Sequence, residues 1–443
     1  MTYEHFAGYT EYILAAGMFN LRPESHRRMK KNSVPQFTTG LDMGTTHVTL
    51  VVGQNGTDNT INILGAARTP HTGIKKGAIT HLEEVSAAIQ DAIDEAERQT
   101  GLNIETARIT MSSSEGICEN IHETVQIKND DIKIADLKRL KQQVSAHKAN
   151  LNMEFVHVLE GSSIVDGKGG ISNPIGLFGK DLGAIFHRVQ YPLSEIQNRI
   201  RACHYAGLTV ESVVSESIAT AEAVLDCDEK ELGVCSINIG CSLTHVAVYT
   251  GGTAIYSRDF PFGSNHISKD LSIGLRTSQT EAERIKKEHG RAIYAPHELH
   301  EEIEIFSLES KAPRILTRSS LQNIIEPRVN EILKKIHTEL SRQNLIQHIP
   351  KGLVLSGGGS LLSGICIVAE DIFGVPARLG LAHSISGMVE GLRNPATSTA
   401  VGLLAPRFSQ TPSLNTDKNS EKSAFRLATF TRSLVSRLAD TFG

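Results

Sequence analysis

Apolar positions along the chain follow two different periods, which predict strands alternating with helices. Residues 38–53 and 237–252 are rich in apolar strand-forming residues, and a glycine turn interrupts each run, as expected of two strand–turn–strand units. Residues 80–99 have a helical period instead, and Thr80 with Glu83 forms a capping-box sequence at its start. Together the two periods favour an α/β fold.

The two strand–turn–strand units repeat one plan. Asp42 and Gly44 stand at the turn of "TTGLDMGTTHVTLVVG", and Asn238 and Gly240 stand at the equivalent places of "INIGCSLTHVAVYTGG". Aligning "THVTLVVG" with "THVAVYTGG" makes the second turn two residues longer. The units lie about 196 residues apart, far beyond the periods of solenoid repeats, and so indicate a duplicated domain. Chance similarity between two glycine turns is the alternative that this pattern alone leaves open.

The rest of the chain continues the alternation of strands and helices. Residues 124–191 predict a small α+β insert with a helix near 135–148. Ser278 and Glu281 have the spacing of a helix cap. Pro327 predicts a start or a kink in the long helical segment around it.

Composition narrows the class of protein. The chain has 443 residues, of which 40% are hydrophobic and 21% charged, as in a globular protein with more than one domain. Its net charge of −4 argues against nucleic-acid binding by bulk electrostatics. The six cysteines lack zinc-type spacing, so we expect reduced core residues of a cytosolic protein. No apolar run reaches the roughly 18 residues that a membrane span needs.

Residues 1–38 do not have the pattern of a targeting segment. Their apolar stretch at 9–19 is too short to span a membrane, and basic residues follow it, whereas a signal peptide has them in front. Met29 opens "MKKNSVPQFTTGLDMGTT", a natural beginning for a cytosolic chain. We therefore expect this extension to be an artefact of the chosen start site, with a real interaction arm as the alternative.

Three loops have the residues that a phosphate site needs. Glycines and small hydroxyl residues let several backbone N–H groups converge on one anion, and both hairpin turns and "SGGGS" at 356–360 have this composition. The glycine turn at 356–360 opens a predicted helix, whose N-terminus favours anions. Glu283 and Lys286 share one helix face. Each feature alone is also typical of an ordinary turn or a surface ion pair, but the combination is more specific.

The end of the chain predicts an amphipathic helix at 421–443 behind a polar linker at 406–420. The pattern favours a helix that lies in an anionic membrane surface, with docking on a protein groove as the alternative. One copy would bind modestly, because ordering the helix offsets much of the gain, and an array of copies would hold far better. The predicted membrane-facing residues are Leu427, Phe430, Leu434, Val435, Leu438 and Phe442, with Arg426, Arg432 and Arg437 as the basic residues.

Several segments together carry a family resemblance, among them "GLDMGTTHV", "ELGVCSINIG", "AERIKKEHG", "IIEPRVNEIL" and "LVLSGGGSLLSGI". In order and wording they resemble the actin/Hsp70/sugar-kinase superfamily and, within it, FtsA, the family of bacterial cell-division actin homologues. The resemblance covers residues 39–404, approximately, and a tail similar in kind. It implies an α/β, actin-like (ribonuclease H-like) duplicated two-lobe fold with an FtsA-type inserted subdomain and a C-terminal amphipathic helix.

The resemblance also implies domain boundaries. In chain order they are an N-terminal extension (1–38), a first actin-like subdomain (39–118 and 201–231), the inserted subdomain (119–200), a second actin-like subdomain (232–260 and 326–405), a further subdomain of the second lobe (261–325), the linker (406–420) and the membrane helix (421–443).

ATP and Mg²⁺ are the cofactors that the resemblance implies, in a cleft between the lobes. The first turn holds phosphate and metal from one side, with Asp42 facing Mg²⁺ through water, and the second turn does so from the other. The glycines of the third loop approach the nucleoside, and Glu283 with Lys286 borders the adenine and ribose. The implied set is Asp42, Gly44, Thr45, Thr46, Gly240, Cys241, Ser242, Thr244, Glu283, Lys286, Gly357, Gly358 and Gly359.

The second turn departs from the family pattern, which reads Asp-Ile-Gly-Gly-Gly-Thr-Thr-Asp. Here Asn238 and His245 replace both acids, and Cys241 and Ser242 replace two glycines. Asn238 keeps an acceptor but loses the negative charge that attracts Mg²⁺. This departure weakens the expectation of hydrolysis more than that of ATP binding, and no catalytic residue is expected.

The implied function is structural, with at most weak ATPase activity. It is that of a peripheral protein at the division site, which forms filaments on the cytoplasmic side of the inner membrane, anchors the FtsZ ring there and helps to recruit later division proteins. The C-terminal peptide of FtsZ is expected on the lobe around 261–330, with Arg328 as a candidate contact, although a solvent-facing helix arginine explains that residue equally well. The alternatives are an ATP-dependent enzyme (a sugar kinase or an Hsp70-type ATPase) and a pilus-assembly adaptor on the same scaffold.

Overall fold

The computed structural model describes residues 37–56, 60–128, 131–306, 313–387 and 390–410. The N-terminal extension and the predicted amphipathic helix, with its predicted membrane-facing residues, lie outside the described residues. The linker lies outside them beyond residue 410.

Strands and helices alternate along the described chain. The strands are β1 (Thr38–Met43), β2 (His47–Asn55), β3 (Ile61–Pro70), β4 (Ile74–Lys75), β5 (Ala78–Ile79), β6 (Thr106–Met111), β7 (Ile117–Gln126), β8 (Met153–Val165), β9 (Lys168–Ile171), β10 (Asp181–Pro192), β11 (Thr209–Ser215), β12 (Val234–Ile239), β13 (Thr244–Thr250), β14 (Thr253–Phe260), β15 (Glu302–Phe306), β16 (Pro313–Thr317), β17 (Leu353–Ser356), β18 (Ala377–Leu379) and β19 (Ile385–Gly387). The helices are α1 (Leu82–Thr100), α2 (Ile134–Ala146), α3 (Leu193–Tyr205), α4 (Glu216–Val224), α5 (Cys227–Leu232), α6 (Asn265–Leu275), α7 (Gln279–His289), α8 (Arg318–Arg342), α9 (Ile365–Phe373) and α10 (Ser398–Gly402).

Two large sheets repeat one topology. The first has the strand order β3-β2-β1-β6-β11 and the second has β14-β13-β12-β17-β18. In each sheet the first three strands of the unit are antiparallel neighbours, and the last two run parallel to the first. Strand order and strand direction therefore both confirm the predicted duplication.

Segments from late in the chain complete the first lobe. Strand β19 pairs with β3 and extends the first sheet by one strand. Helix α10 packs against α4 so closely that a Cβ on Gly402 would lie 1.8 Å from the carbonyl oxygen of Ala219. The hydroxyls of Thr220 and Thr399 form a hydrogen bond of 2.8 Å between the same two helices. The close approach requires glycine at position 402.

Apolar side chains form one core in each lobe and a third core between the sheets. The third core joins Val51 and Ile63 from the first sheet to Tyr249 and Val354 from the second. It also includes Leu403, which follows α10. Both lobes therefore bury apolar surface against each other, which stabilises their arrangement.

The α+β insert lies between β6 and α3. Its sheet has the order β7-β10-β8-β9, and α2 packs on it over a small core of its own that includes Leu140 and Phe186. The helix predicted near 135–148 is thus confirmed as α2. Helix α3, which follows the insert, packs against α1.

Helix boundaries test the predicted caps. The hydroxyl of Ser278 accepts the N–H of Glu281 (3.1 Å) at the start of α7, which confirms that cap. The capping box predicted for α1 is wrong, because His81 is the N-cap residue and the Thr80 hydroxyl donates to the Gly73 carbonyl (3.2 Å) instead.

The long helix α8 runs through Pro327 without beginning there. It begins at Arg318, which excludes a start at the proline, and the kink stays a prediction. The proline ring removes one backbone hydrogen bond, and the buried apolar face on both sides of it, from Leu321 to Leu340, holds the helix in place.

Candidate functional site

The two hairpin turns have the same length in the structure. Each is closed by a hydrogen bond from the N–H of its glycine to a carbonyl three residues later, and the flanking strands pair in the same register. The equivalent pairs are Asp42 with Thr49 and Gly44 with His47 (3.1 Å) in the first turn, and Asn238 with His245 and Gly240 with Leu243 (2.9 Å) in the second.

The predicted difference of two residues between the turns is therefore wrong. The repeated letters "THV" are offset between the two hairpins, because strand pairing and not the letters defines equivalence. In the structure Cys241 and Ser242 have the places of Thr45 and Thr46, and His245 has the place of Thr49.

Most of the predicted nucleotide residues line one cleft between the lobes. The cleft has a volume of about 1190 Å³. Ser242 and Thr244 do not line it, and the reason is clear for Thr244, which is buried at the start of β13 and donates its hydroxyl to the Phe262 carbonyl (2.8 Å). The predicted residues that the cleft does bring together are Asp42, Gly44, Thr45, Thr46, Gly240, Cys241, Glu283, Lys286, Gly357, Gly358 and Gly359.

The glycine loop packs directly on the second turn. Gly357 has a φ of +80°, and a Cβ there would lie 2.1 Å from Oδ1 of Asn238. The loop opens a 3₁₀ helix at Gly358–Leu361, and α9 begins only at Ile365. The predicted order of strand, glycine turn and helix is confirmed, but the helix that the loop opens is the short 3₁₀ helix, and α9 begins four residues after it ends.

Asn238 acts as a donor in the structure. Its Nδ2 lies 3.0 Å from the hydroxyl of Thr220, 3.1 Å from that of Thr399 and 3.3 Å from Oε1 of Glu216. A carboxylate at this position could not donate to any of these oxygens. Asn238 thereby ties the second turn to α4 and α10.

His245 lies between two carboxylates at the base of the cleft. Its Nδ1 is 2.8 Å from Oδ1 of Asp259, and its Nε2 is 3.2 Å from Oε1 of Glu216. Oδ2 of Asp259 also accepts the N–H of Ser113 (2.9 Å) and the hydroxyl of Tyr191 (3.1 Å). Burial alone would lower the pKa of His245, but the negative charges of Glu216 and Asp259 raise it to about 9. We call Glu216, His245 and Asp259 the basal cluster.

Asp42 is almost completely buried at the end of β1. Its Oδ1 accepts the hydroxyl of Thr110 (3.0 Å). Burial and the negative charge of Glu216 raise the pKa of Asp42 to about 7. Behind it the guanidinium of Arg199, also buried, donates to backbone carbonyls including that of Met43 (3.2 Å).

The donor set suits a phosphate better than it suits Mg²⁺. Two turns of small residues and a glycine loop let backbone approach an anion. Mg²⁺ prefers ionised carboxylates, whereas a proton competes for Asp42 and protein donors already occupy the basal cluster. Among the described residues no group of three or more His, Cys, Asp or Glu side chains is placed to hold a metal ion.

Glu283 and Lys286 form an ion pair on the wall of the cleft. Nζ of Lys286 lies 2.7 Å from Oε2 of Glu283, which also accepts the hydroxyl of Ser268 (2.6 Å). Burial would raise the pKa of Glu283, but these two donors hold it below its usual value. The pair therefore presents one fixed cation and one fixed anion on α7.

Arg328 is paired within its own chain. Its guanidinium contacts Asp270 on α6, with one N–O distance of 3.0 Å, and Glu331 on α8. An incoming acidic peptide would have to compete with both carboxylates for this side chain.

Sequence reasoning missed Glu216 and Asp259 as the partners of His245. Counting residues outward from the turn at Gly251 and Gly252 brings the neighbourhood of Asp259 opposite His245. The count is off by one residue, however, because a β-bulge after Val248 shifts the pairing so that Asp259 lies opposite His245. Glu216 comes from the other lobe, and no local pattern places it here.

Comparisons with known proteins agree with this architecture. The family model "Cell division protein FtsA" matches residues 235–402, and "SHS2 domain inserted in FTSA" matches residues 115–190. Among solved structures, the PilM-PilN type IV pilus biogenesis complex has a TM-score of 0.61 and 15% identity over 83% of this chain and 97% of that one. That likeness concerns the fold alone.

Relatives of higher identity are cell division proteins. The chain is 33% identical to cell division protein FtsA of Pseudomonas aeruginosa over 82% of its own length and 88% of the relative. It is 33% identical to the Bacillus subtilis protein over 82% of each, and 30% identical to that of Escherichia coli over 89% and 95%. The chain therefore belongs to the FtsA family of bacterial cell-division actin homologues, with the actin-like two-lobe fold and the inserted SHS2 domain of that family.

Proposed function

We propose that this chain binds ATP in the interlobe cleft and forms filaments that anchor the FtsZ ring to the cytoplasmic side of the inner membrane. The observation that carries the ATP part is the pair of equal turns that line one cleft together with the glycine loop. Such turns bring backbone N–H groups within reach of a phosphate. In this proposal Gly44 and Gly240 approach the phosphates.

The other wall of the cleft supports the nucleoside. Lys286 offers a cation beside Glu283, and both lie on α7, which is anchored by its Ser278 cap. We place the adenine and ribose between this pair and the glycine loop. Small-molecule sites are usually largely preformed pockets, and these two walls already face one cleft.

ATP turnover is expected to be slow. Activating a water requires a positioned base, and the ring nitrogens of His245 already face two carboxylates. Protonated at both nitrogens, the imidazole has no lone pair with which to accept a proton. ATP would then control shape and self-association, and the protein would work as a scaffold.

The membrane and FtsZ parts of the proposal rest on the tail and on α8. Residues 421–443 have the apolar arc and basic residues of a surface helix. In the proposal the FtsZ peptide docks around residues 261–330 and displaces the partners of Arg328. Asp270 and Glu331 already pair with Arg328. A carboxylate of the peptide must therefore replace one of theirs at the Arg328 guanidinium.

Liposome sedimentation with purified FtsZ tests the anchoring role. The full chain should carry FtsZ into the pellet of anionic vesicles when ATP is present. A chain ending at residue 420 should bind FtsZ in solution and leave it in the supernatant. Equal sedimentation of FtsZ by both chains would contradict the membrane role of the tail. If the full chain sedimented with the vesicles but FtsZ stayed in the supernatant, the proposed binding of FtsZ would be contradicted.

A further inference from the structure

The base of the cleft contains a histidine whose two ring nitrogens both face carboxylate oxygens. The distances are 2.8 Å from Nδ1 to Asp259 and 3.2 Å from Nε2 to Glu216. The side chains of His245, Glu216 and Asp259 are 3%, 10% and 1% exposed, so water does not separate the charges. Ionised carboxylates only accept hydrogen bonds, and both nitrogens must therefore carry a proton. With both carboxylates ionised, this arrangement makes the side chain an imidazolium.

The carboxylates of the basal cluster are committed to protein donors. Asp259 receives the Ser113 N–H and the Tyr191 hydroxyl besides His245. Glu216 receives Nδ2 of Asn238 in addition to the imidazolium. A divalent ion would have to displace these donors before it could be coordinated.

The charges at the base of the cleft nearly balance without a metal. Within the basal cluster Glu216 and Asp259 supply up to two negative charges and His245 supplies one positive charge. The buried Arg199 faces the charges of Asp42 and Glu195 besides that of Glu216. A carboxylate in place of the imidazolium would leave up to three excess negative charges. Such a surface repels a triphosphate unless a divalent cation neutralises it, whereas a nearly neutral one does not.

We infer that His245, clamped between Glu216 and Asp259, is a built-in cation that makes nucleotide binding in this cleft independent of a divalent metal ion. The inference rests on the proposed binding of ATP and specifies its metal requirement. The raised pKa of His245 agrees with a charge that persists at neutral pH.

ATP binding to the full chain, measured by isothermal titration with excess magnesium and again with EDTA, tests the inference. The Kd of the wild-type protein should differ by less than about threefold between the two buffers. His245→Asp should weaken ATP binding at least about tenfold in EDTA and recover it in magnesium. His245→Gln, which removes the charge without adding a carboxylate, should fall between the two.

A tenfold or larger loss of wild-type affinity on chelation would overturn the inference and leave the proposed function intact. Absence of ATP binding in both buffers would overturn the proposed function. The inference would then fall as well, because it concerns how ATP binds. The comparison of the two buffers uses the wild-type protein alone. It therefore tests the inference even if the His245→Asp variant folds poorly. Nitrogen-15 NMR of the nucleotide-free protein adds an independent reading, because a neutral His245 ring at pH 7 would overturn the inference even where ATP binds.

Discussion

His245 couples folding to proton binding. The folded protein holds a proton on it up to a pKa of about 9, whereas an unfolded histidine releases its proton near pH 6.5. A group whose pKa is raised by folding contributes its full stability below the unfolded value and loses it as the pH rises through the folded value. Asp42, whose pKa is raised by burial to about 7, adds to the loss of stability up to about pH 7. Burial lowers the pKa of His157 and His187, so these residues cost stability only below about pH 6.5.

We therefore predict that the free energy of unfolding falls between pH 6.5 and 8.5 by on the order of 2 kcal/mol from this residue alone. Urea denaturation at a series of pH values measures it. His245→Gln should be less stable at pH 6.5 and should show a flatter profile across that window. An unchanged slope in the variant would mean that another group causes the pH dependence.

Gly357 is the single position in the glycine loop where a side chain meets both a conformational and a steric barrier. Its φ is +80°, and a Cβ would lie 2.1 Å from Asn238 and 2.5 Å from the Ile239 carbonyl. At the neighbouring Gly358 the nearest atom to a built Cβ is 4.0 Å away. Adjacent glycines of one loop thus differ sharply in what they tolerate.

Gly357→Ala should lower the free energy of unfolding by about 1–3 kcal/mol, from left-handed backbone strain and displacement of Asn238, and should weaken ATP binding. Gly358→Ala is the matched control and should change stability by less than about 0.5 kcal/mol. Chemical denaturation of both variants makes the comparison. Equal effects would show that the loop rearranges to accept a side chain.

At the scale of elements, helix ends distinguish real caps from cap-like sequences. Ser278 accepts the N–H of Glu281 at the start of α7, whereas the exposed Thr80 before α1 does not cap its helix. Since α7 carries Glu283 and Lys286, its first turn also positions one wall of the cleft.

Ser278→Ala should cost about 1 kcal/mol of stability, because it leaves a helix N–H without its acceptor. Thr80→Ala, with the same loss of a hydroxyl, should cost less than about 0.5 kcal/mol. Thermal unfolding monitored by circular dichroism reports both. A larger loss from Thr80 than from Ser278 would contradict the assignment of the caps.

Periodicity predicted the elements because burial imposes it, but pairing between elements left no comparable trace in the sequence. Asp42, Gly44, Asn238 and Gly240 identify the two hairpins in the sequence, but the repeated letters misalign them, since hydrogen bonds between strands determine register. The basal cluster was beyond prediction for the same reason. It depends on a bulge in the β13–β14 hairpin and on a carboxylate delivered by the other lobe.

At the scale of the whole molecule, the first lobe depends on the end of the described chain. Strand β19 completes its sheet, and the residues of and after α10 pack on α4. Val401, Leu403 and Leu404 are at most 1% exposed there. Burying each contributes about 1.5–3 kcal/mol, which together is comparable to the 5–15 kcal/mol stability of a typical protein.

A fragment of residues 37–233, which holds the first lobe and the insert, should therefore fail to form a stable first sheet. Hydrogen exchange of β1, β2 and β3 measures this directly. The chain ending at residue 410 is the control and should protect these strands, since it keeps β19 and α10. Full protection in the short fragment would show that the lobe folds without its late segments.

The pairing of β19 with β3 also determines how late during synthesis the first sheet can be completed. About 315 residues separate Pro70, where β3 ends, from Ile385, where β19 begins. At the usual ribosomal rate of about 5–20 residues per second, the edge of β3 stays without its partner for roughly 15–60 s. An unpaired strand edge invites association with other chains, so the nascent protein is most exposed to aggregation in the interval before Ile385 emerges.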